Sequence, residues 1–310
     1  MNHFAVIDLG TNTCNLLIAN LEPDGSCRTV YDKKLPVKLG RGGINNMILL
    51  PDAMERGIAA LHQHATTLKK YGDIPLRVIG TSALRGAINS DEFLNKTSDK
   101  LGWKIEIIDG ETEALLIFRG VRLSLPSQIG KYLIVDIGGG SIEFILAQDD
   151  TIIWKQSVNI GIARVLEVIP MSDPTTLTEI SAIENWFDRH LTELWEVCNK
   201  HRPQTLIGCS GAFDTFMDIY EQEEPDRKIR TVTELPLSEY SVIHKKLIDS
   251  DHQSRSTLKG MEIMRVEMIV IASIFTNFLL GKLQINRLIH THNSLKEGVM
   301  DQLIGNKSNI

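Results

Sequence analysis

Apolar residues recur along this chain in two patterns. Short apolar runs bounded by small or polar residues predict strands. They occur at 76–79, 104–108, 205–207 and 287–290. Two longer stretches, 53–71 and 175–201, carry apolar residues every three or four positions, which is the spacing of a helix with one buried face. Strands and helices therefore alternate, as they do in an α/β protein.

One pattern occurs twice. The segment 4–18 aligns with the segment 133–146 so that Asp8 falls on Asp136, and the acid, the glycine, the hydroxyl residue and both apolar flanks match. Each copy consists of an apolar strand, an Asp-x-Gly turn and a second apolar run, which predicts a β-hairpin rather than the strand–turn–helix of a P-loop. Two unrelated hairpins could share Asp-x-Gly by chance, but the matching flanks argue against this. The repeat predicts two α/β lobes of similar plan.

Length and composition agree with two lobes. The chain has 310 residues, of which 43% are hydrophobic and 23% charged, and a net charge of −6. This length suits two domains, and the composition predicts a soluble globular protein. Because the net charge is negative, whole-surface attraction to nucleic acid is not expected, and any polyanion site must be local.

Hydropathy, cysteine spacing and the first residues of the chain bear on where in the cell the protein is expected. The most apolar stretch, 266–280, is interrupted by Glu267 and Asn277 and is shorter than the roughly 20 residues that span a bilayer, so it predicts a buried helix and no membrane segment. The four cysteines show no paired spacing, and a strand already begins at Phe4 where a leader would lie. We therefore expect a reducing, cytoplasmic location.

The two turns suit phosphate and a metal ion. Glycines let main-chain N–H groups converge on an anion, and hydroxyl side chains add donors. Asp8 and Asp136 could hold a divalent cation directly or through water. The candidate phosphate-binding residues are Gly10, Thr11, Asn12, Thr13, Gly138, Gly139, Gly140 and Ser141.

An acidic turn lies between the hairpins. Glu111 and Glu113 begin a predicted helix after the strand at 104–108, and residues two apart on a helix diverge, so only one can point into a cleft. The other would serve the helix N-terminus. Helix geometry does not choose between them. Arg85 follows a strand end at Gly80, as either a phosphate ligand or a solvated surface residue.

Four motifs together resemble those of a known family. The segments are Asp-Leu-Gly-Thr-Asn-Thr at 8–13, Gly-Thr-Ser-Ala-Leu-Arg at 80–85, Gly-Glu-Thr-Glu-Ala at 110–114 and Asp-Ile-Gly-Gly-Gly-Ser-Ile-Glu at 136–143. Their order and spacing are similar to the Ppx/GppA family of exopolyphosphatases and guanosine pentaphosphate phosphohydrolases. Weaker resemblance continues through 208–212 and 294–298, so it covers almost the whole chain.

The resemblance implies a fold. It is that of actin, sugar kinases and heat-shock protein 70, in which two ribonuclease-H-like lobes enclose an active-site cleft. We expect one lobe to span 1–125 and to be completed by a C-terminal helix at 295–310, and the other to span 126–294. The chain resembles the short, two-domain form that lacks the appended helical domain of longer members. Homodimers are common among such relatives, so a homodimer is a further expectation.

The resemblance also assigns roles to residues. By the family's pattern Glu113 is the base or water-orienting acid, which resolves the choice between it and Glu111. Arg85 contacts substrate phosphate, and the metal ligands are Asp8, Asp136 and Glu143. The implied ion is Mg²⁺, with Mn²⁺ as the alternative, and no organic cofactor is expected.

The implied reaction is the Mg²⁺-dependent release of orthophosphate from the ends of polyphosphate. Removal of the terminal phosphate of guanosine pentaphosphate is the first alternative, and the sequence does not choose between the two substrates. A non-hydrolytic sensor of nucleotide or polyphosphate is the alternative from another class, against which the combination of Glu113, Asp136, Glu143 and Arg85 argues. A kinase is disfavoured because 208–211 is a poor adenosine-binding segment.

Some residues depart from the family's pattern or fall outside it. Leu115 stands where an arginine is common, and Cys209 and Phe213 stand where threonines are common. Five basic residues could form a track for phosphates, although solvated surface is the ordinary role for most: Lys33, Lys34, Lys38, Arg41 and Arg119. His62 and His64 diverge on a helix, so they should not bind a metal together. His290 and His292 are expected to pack or to line the cleft.

Overall fold

The first half of the chain folds around a five-stranded sheet. The computed structural model describes residues 3–23, 25–225 and 231–305. The strands of this sheet are β1 (His3–Leu9), β2 (Thr13–Leu21), β3 (Cys27–Pro36), β4 (Leu76–Gly80) and β5 (Ile105–Ile107). They lie in the order β3-β2-β1-β4-β5, in which β1 to β3 are antiparallel neighbours and β1, β4 and β5 are parallel.

The second half repeats this plan. Its strands are β6 (Lys131–Ile137), β7 (Ile142–Gln148), β8 (Thr151–Val158), β9 (Thr205–Cys209), β10 (Val232–Glu234) and β11 (Arg287–Thr291). Apart from the added edge strand β10, the order β11-β9-β6-β7-β8 reproduces the first sheet with the same strand directions. Both Asp-x-Gly segments form hairpins, as predicted. The duplication and the two ribonuclease-H-like lobes of the actin-like fold are confirmed.

Twelve helices are found in the described part of the chain. They are α1 (Pro51–Leu68), α2 (Ser82–Gly86), α3 (Ser90–Leu101), α4 (Gly110–Arg122), α5 (Ile162–Val168), α6 (Leu177–His190), α7 (Thr192–His201), α8 (Ser210–Glu221), α9 (Leu237–Asp249), α10 (His252–Ser256), α11 (Ile269–Lys282) and α12 (Leu295–Gly305). Short 3₁₀ turns lie at Lys69–Tyr71, directly after α1, and at Ile263–Arg265.

The prediction of one helix over 175–201 was wrong. The chain forms α6 and α7, and Leu191 between them leaves helical geometry at φ −119° and ψ 25°. The apolar stripe continues through the break, because Leu191 and Leu194 are both buried. Hydrophobic periodicity therefore could not reveal the interruption.

Three apolar clusters hold the elements together. One packs on the outer face of the first sheet and one on the outer face of the second. The third lies between the sheets, where α4 and α12 contact residues from both, such as Val6 of β1 and Ile134 of β6. The predicted buried helix in the most apolar stretch is α11, most of which is inaccessible to solvent. Among the described residues, no helix combines the length and apolar character needed to cross a bilayer.

The two central helices cross closely. A Cβ placed on Gly120 of α4 would overlap the carbonyl oxygen of Ser294, and one placed on Gly298 of α12 would overlap that of Leu116. Glycine at both positions lets the two backbones approach. This contact fixes the N-terminal end of α12 beside the cleft.

Candidate functional site

The two hairpin turns meet across a cleft between the lobes. A Cβ on Gly139 would overlap the side chain of Asn12, and one on Gly140 would lie 2.6 Å from the Thr11 hydroxyl oxygen. The turns therefore face each other and touch. All eight predicted phosphate-binding residues line this cavity: Gly10, Thr11, Asn12, Thr13, Gly138, Gly139, Gly140 and Ser141.

Asp8 ends β1 at the floor of the cleft. Its Oδ2 accepts a hydrogen bond of 2.9 Å from the Asn15 amide, whereas its buried Oδ1 has no hydrogen-bond partner among the described residues. Burial, reinforced by the nearby Asp136, raises the pKa of Asp8 to about 6. A buried carboxylate oxygen without a partner is costly, and a bound cation would satisfy it.

Asp136 occupies the equivalent position at the end of β6. Its Oδ2 accepts hydrogen bonds from the hydroxyls of Ser210 at 2.6 Å and Ser294 at 2.8 Å. Burial raises the pKa of Asp136. The backbone of Ser210 has a φ of 67°, in the left-handed region that non-glycine residues rarely adopt. In this conformation its hydroxyl reaches Asp136.

Glu143 lies on β7 opposite Asp136. Only 1% of the residue is exposed, and its Oε1 accepts hydrogen bonds of 2.6 Å from both Ser141 and Ser157. Burial, together with the charge of Asp136, raises the pKa of Glu143 to about 7.

The side chains of Glu113 and Glu111 lie in different surroundings, as expected for residues two apart on a helix. Glu113 lies in the cleft and is 6% exposed, whereas Glu111 is exposed and forms an ion pair with Lys155. The N-terminus of α4 is instead capped by Asp109, which accepts a hydrogen bond from the Thr112 N–H. Burial, and then the nearby Glu143, raises the pKa of Glu113 well above its ordinary value.

Arg85 is paired with Glu113. Its Nη1 donates to Glu113 Oε2 at 2.8 Å and to the carbonyl oxygen of Ile108 at 3.0 Å. This ion pair lies at the end of α2, beside the start of α4, so Arg85 positions the Glu113 carboxylate. The four acids Asp8, Glu113, Asp136 and Glu143 all line the same cavity.

The basic residues of the cleft differ from those predicted. Of the predicted track, Lys34 lines the cavity, Lys38 forms an ion pair with Glu267, and Lys33, Arg41 and Arg119 are exposed. Two cleft-lining cations lay outside that track, namely Arg265 and Lys296. Arg265 ends a 3₁₀ turn that none of the quoted motifs covers, and Lys296 lies in the first turn of α12, inside the weakly resembling segment 294–298.

The departures from the family's pattern lie outside the cleft. Leu115 is 38% exposed on the surface of α4, and Phe213 is buried in the core of the second lobe. Cys209 is fully buried at the end of β9, where its thiol faces the carbonyl oxygen of Val135 at 3.8 Å. None of the three lines the cavity.

A second group of ionisable side chains borders the cleft, which Asp214 and His292 line. His290 Nε2 and His292 Nδ1 approach Asp214 Oδ1 at 2.9 Å and 3.0 Å. Residues two apart on a strand share a face, which is the sequence signal that could have grouped the two histidines. By contrast, His64 is buried against the carbonyl oxygen of Cys14, and His62 is exposed.

The cleft can hold a divalent metal. Asp8, Asp136 and Glu143 offer only oxygen ligands, and Asp8 Oδ1 lacks a partner. Asp214, His290 and His292 form a second group whose ligand atoms lie within 4.8 Å of one another.

Fold and site together define an actin-like protein whose interlobe cleft combines two glycine-rich turns with buried carboxylates. The chain belongs to the Ppx/GppA phosphatase family, which it matches over residues 18–307. It is 34% identical to a crystallised exopolyphosphatase from Cytophaga hutchinsonii, with a TM-score of 0.93 and 98% of each chain covered.

Two sequence relatives carry different names. Exopolyphosphatase 2 of Mycobacterium tuberculosis is 28% identical, with 98% of this chain and 99% of the relative covered. The guanosine-5'-triphosphate,3'-diphosphate pyrophosphatase of Vibrio cholerae is 29% identical over 97% of this chain, which spans only 59% of that relative.

Proposed function

We propose that this protein hydrolyses the terminal phosphoanhydride bond of inorganic polyphosphate and releases orthophosphate in a Mg²⁺-dependent reaction. The observation that carries the proposal is the convergence of Glu113 with the two facing turns and with three further carboxylates in one cavity. The relatives named exopolyphosphatase, which match this chain over nearly their whole length, support polyphosphate as the substrate.

The reaction needs alignment and charge neutralisation more than covalent chemistry. The N–H groups and hydroxyls of the two turns bind phosphate oxygens. Glu113 orients a water molecule and accepts its proton as the water oxygen bonds to the terminal phosphorus and the bond to the next phosphate breaks. Burial raises the pKa of Glu113, which makes its carboxylate a stronger base, and Arg85 fixes its orientation.

Asp8, Asp136 and Glu143 would hold Mg²⁺. Their oxygen-only donor set suits this hard cation, which usually keeps several waters. When bound, Mg²⁺ neutralises charge on the leaving phosphates. The hydroxyls of Ser141, Ser157 and Ser210 orient the carboxylates by hydrogen bonds to them.

Guanosine pentaphosphate is the second candidate substrate. Its terminal phosphoanhydride is the same type of bond, carried by a guanosine nucleotide. The name of the Vibrio cholerae relative favours this substrate. Within the described residues, the lining of the cleft is mostly polar and charged, with Ile137 and Leu295 as its large apolar members, and includes no phenylalanine, tyrosine or tryptophan. A guanine base therefore finds none of these larger aromatic rings to stack on there, which favours polyphosphate.

The test compares Glu113→Gln with Glu111→Gln. Both changes remove one carboxylate from the same helical turn, but only Glu113 lies in the cleft. Phosphate release from polyphosphate should fall by about 100-fold or more in Glu113→Gln, because general-base catalysis contributes at that scale. Polyphosphate binding should persist in this variant.

Release by the Glu111→Gln variant should stay within about twofold of the unaltered protein. Assays with polyphosphate and guanosine pentaphosphate side by side, with Mg²⁺ and with a chelator, complete the design. Equal losses in both variants, or undiminished release in the chelator, would contradict the proposal.

A further inference from the structure

A compact group of possible metal ligands, other than the acids that would hold Mg²⁺, is formed by Asp214, His290 and His292. Asp214 lies in the second turn of α8, His290 near the end of β11 and His292 just beyond it. His290 is buried, and the other two are partly buried. Because β11 pairs with β9, whose end leads into α8, the sheet itself brings these residues together.

The three side chains converge on one point. Both imidazoles direct a ring nitrogen at Asp214 Oδ1, at 2.9 Å and 3.0 Å, and the rings stand at 88° to each other. In a tetrahedral site with metal–ligand distances near 2.1 Å, neighbouring ligand atoms lie about 3.4 Å apart. Outward movement of a few tenths of an ångström would therefore admit an ion.

We propose that Asp214, His290 and His292 form a second metal site, selective for Zn²⁺ over Mg²⁺. Two imidazole nitrogens and one carboxylate are a zinc-type donor set, and catalytic zinc sites commonly use three protein ligands. Mg²⁺ prefers oxygen ligands and octahedral geometry. The cleft thus carries two sites of different chemical preference, one all-oxygen and one rich in nitrogen.

Neighbouring cations do not block the site. Lys34 Nζ lies 3.5 Å from Asp214 Oδ2, the oxygen that the histidines do not use, and 3.7 Å from Glu262 Oε2. Arg265 is paired with Glu262 at 3.0 Å. Both cations are therefore held by carboxylates, and Glu262 keeps a buried Oε1 without a hydrogen-bond partner.

The fourth coordination position faces the substrate cleft. Asp214 and His292 line the cavity, together with Lys34 and Arg265. A Zn²⁺ ion at this place would accept a phosphate oxygen of a chain bound in the cleft. This anchoring role rests on the proposed function, whereas metal binding itself does not.

Direct binding tests the site. The metal-free protein should take up one tightly held Zn²⁺ in titration calorimetry with Mg²⁺ in excess, and Co²⁺ should give the strong visible absorption of a tetrahedral site. His292→Asn should weaken Zn²⁺ binding by about 100-fold or more, since loss of an outer partner alone costs 10- to 100-fold. His62→Asn, at an exposed histidine of α1, should bind normally.

Two further variants separate the alternatives. Asp8→Asn should retain the Zn²⁺ site, and His290→Gln should lose it. Thermal unfolding of each metal-free variant checks that it remains folded. Absence of tight Zn²⁺ binding, or Zn²⁺ binding that survives His292→Asn but not Asp8→Asn, would overturn the site.

Anchoring of phosphate by the bound metal is tested separately in the Glu113→Gln variant, which should hydrolyse tripolyphosphate too slowly to interfere. Addition of tripolyphosphate to the Co²⁺ form should change the visible spectrum. An unchanged spectrum despite tripolyphosphate binding would overturn anchoring and leave metal binding standing. Failure of the proposed hydrolase function would appear instead in the phosphate-release assay, which does not involve this spectrum.

Discussion

At the residue scale, the cleft keeps several carboxyl groups in surroundings that disfavour their charge. Burial raises the pKa of Asp8 to about 6 and that of Glu143 to about 7, from ordinary values of 3.8 and 4.5. In each case the folded protein holds the proton more tightly than the unfolded chain does. The stabilisation is therefore present below the ordinary pKa and is lost as the pH rises through the raised one.

We therefore predict that the metal-free protein loses stability between pH 5.5 and pH 8, by on the order of a few kcal/mol. In the proposed function Mg²⁺ would bind the ionised carboxylates, so it should stabilise the protein more at pH 8 than at pH 5.5. Denaturant unfolding with Mg²⁺ or a chelator at each pH measures both effects. In the Asp8→Asn variant, the loss of stability with rising pH and the difference in Mg²⁺ stabilisation between the two pH values should both be smaller. An Mg²⁺ effect that is equal at the two pH values would refute the prediction.

Sequence reasoning found the residues of local motifs and missed the residues that distant segments supply. Asp8, Glu113, Asp136 and Glu143 belong to short patterns, and the structure brings all four into one cavity. Arg265 lines the cleft and Ser157 is hydrogen-bonded to Glu143, but they come from a 3₁₀ turn and from β8 without a distinctive pattern. Only the folded sheet brings such residues together.

At the element scale, the crossing of α4 and α12 depends on glycine. A Cβ on Gly120 would overlap the Ser294 carbonyl oxygen, which is backbone and cannot rotate away. We predict that Gly120→Ala lowers the free energy of unfolding by about 1–3 kcal/mol or more, as overpacking does. Phosphate release should also fall, because Ser294 is hydrogen-bonded to Asp136.

Gly281→Ala is the matched control. Gly281 lies in the last turn of α11, and nothing within 4 Å would meet an added Cβ. Alanine there should leave stability unchanged or raise it by up to about 1 kcal/mol. Denaturant unfolding of both variants measures the difference. Equal stabilities would show that the helices can separate without cost.

Element types were more predictable than their limits. The hairpins follow from alternating apolar runs, and α1 follows from its stripe, although the structure ends it at Leu68 with a 3₁₀ turn over the next three residues. Nothing in the sequence predicted the close approach of α4 and α12, because a single glycine in a helical pattern does not identify the element that packs against it. Helix limits and helix contacts depend on tertiary packing.

At the scale of the whole molecule, side chains of α5 join the lobes across the cleft. Arg164 donates to the carbonyl oxygen of Gly140 at 2.7 Å and to that of Ile44 at 3.0 Å. Glu167 accepts a hydrogen bond of 2.7 Å from the Gly42 N–H. Gly42 and Ile44 follow β3 of the first lobe, so these bonds connect the two lobes.

We predict that Arg164→Ala shifts the lobes towards an open arrangement. The substrate concentration at half-maximal rate should rise about 10-fold, equivalent to about 1.4 kcal/mol. The radius of gyration without substrate should increase in solution scattering. Arg189→Ala, which removes an exposed arginine bonded to its own helix, should change neither quantity. An unchanged radius and rate profile in Arg164→Ala would show that closure does not depend on this residue.

The division of the chain into lobes stays a proposal, 1–125 with 295–310 and 126–294. The packing of Val299 and Met300 of α12 with Val6 of β1 and Ile117 of α4 supports it. The last five residues, 306–310, lie outside the described part of the chain.

Because the two turns touch, substitutions in one half of the repeat constrain substitutions in the other half. Gly139 has no room for a side chain because Asn12 occupies that space, and Gly140 is limited in the same way by Thr11 together with Ser82. A larger residue in one turn can be accommodated only when the other turn becomes smaller. Although duplication freed the halves to diverge, positions 12 and 139 should covary among relatives, as should positions 11 and 140.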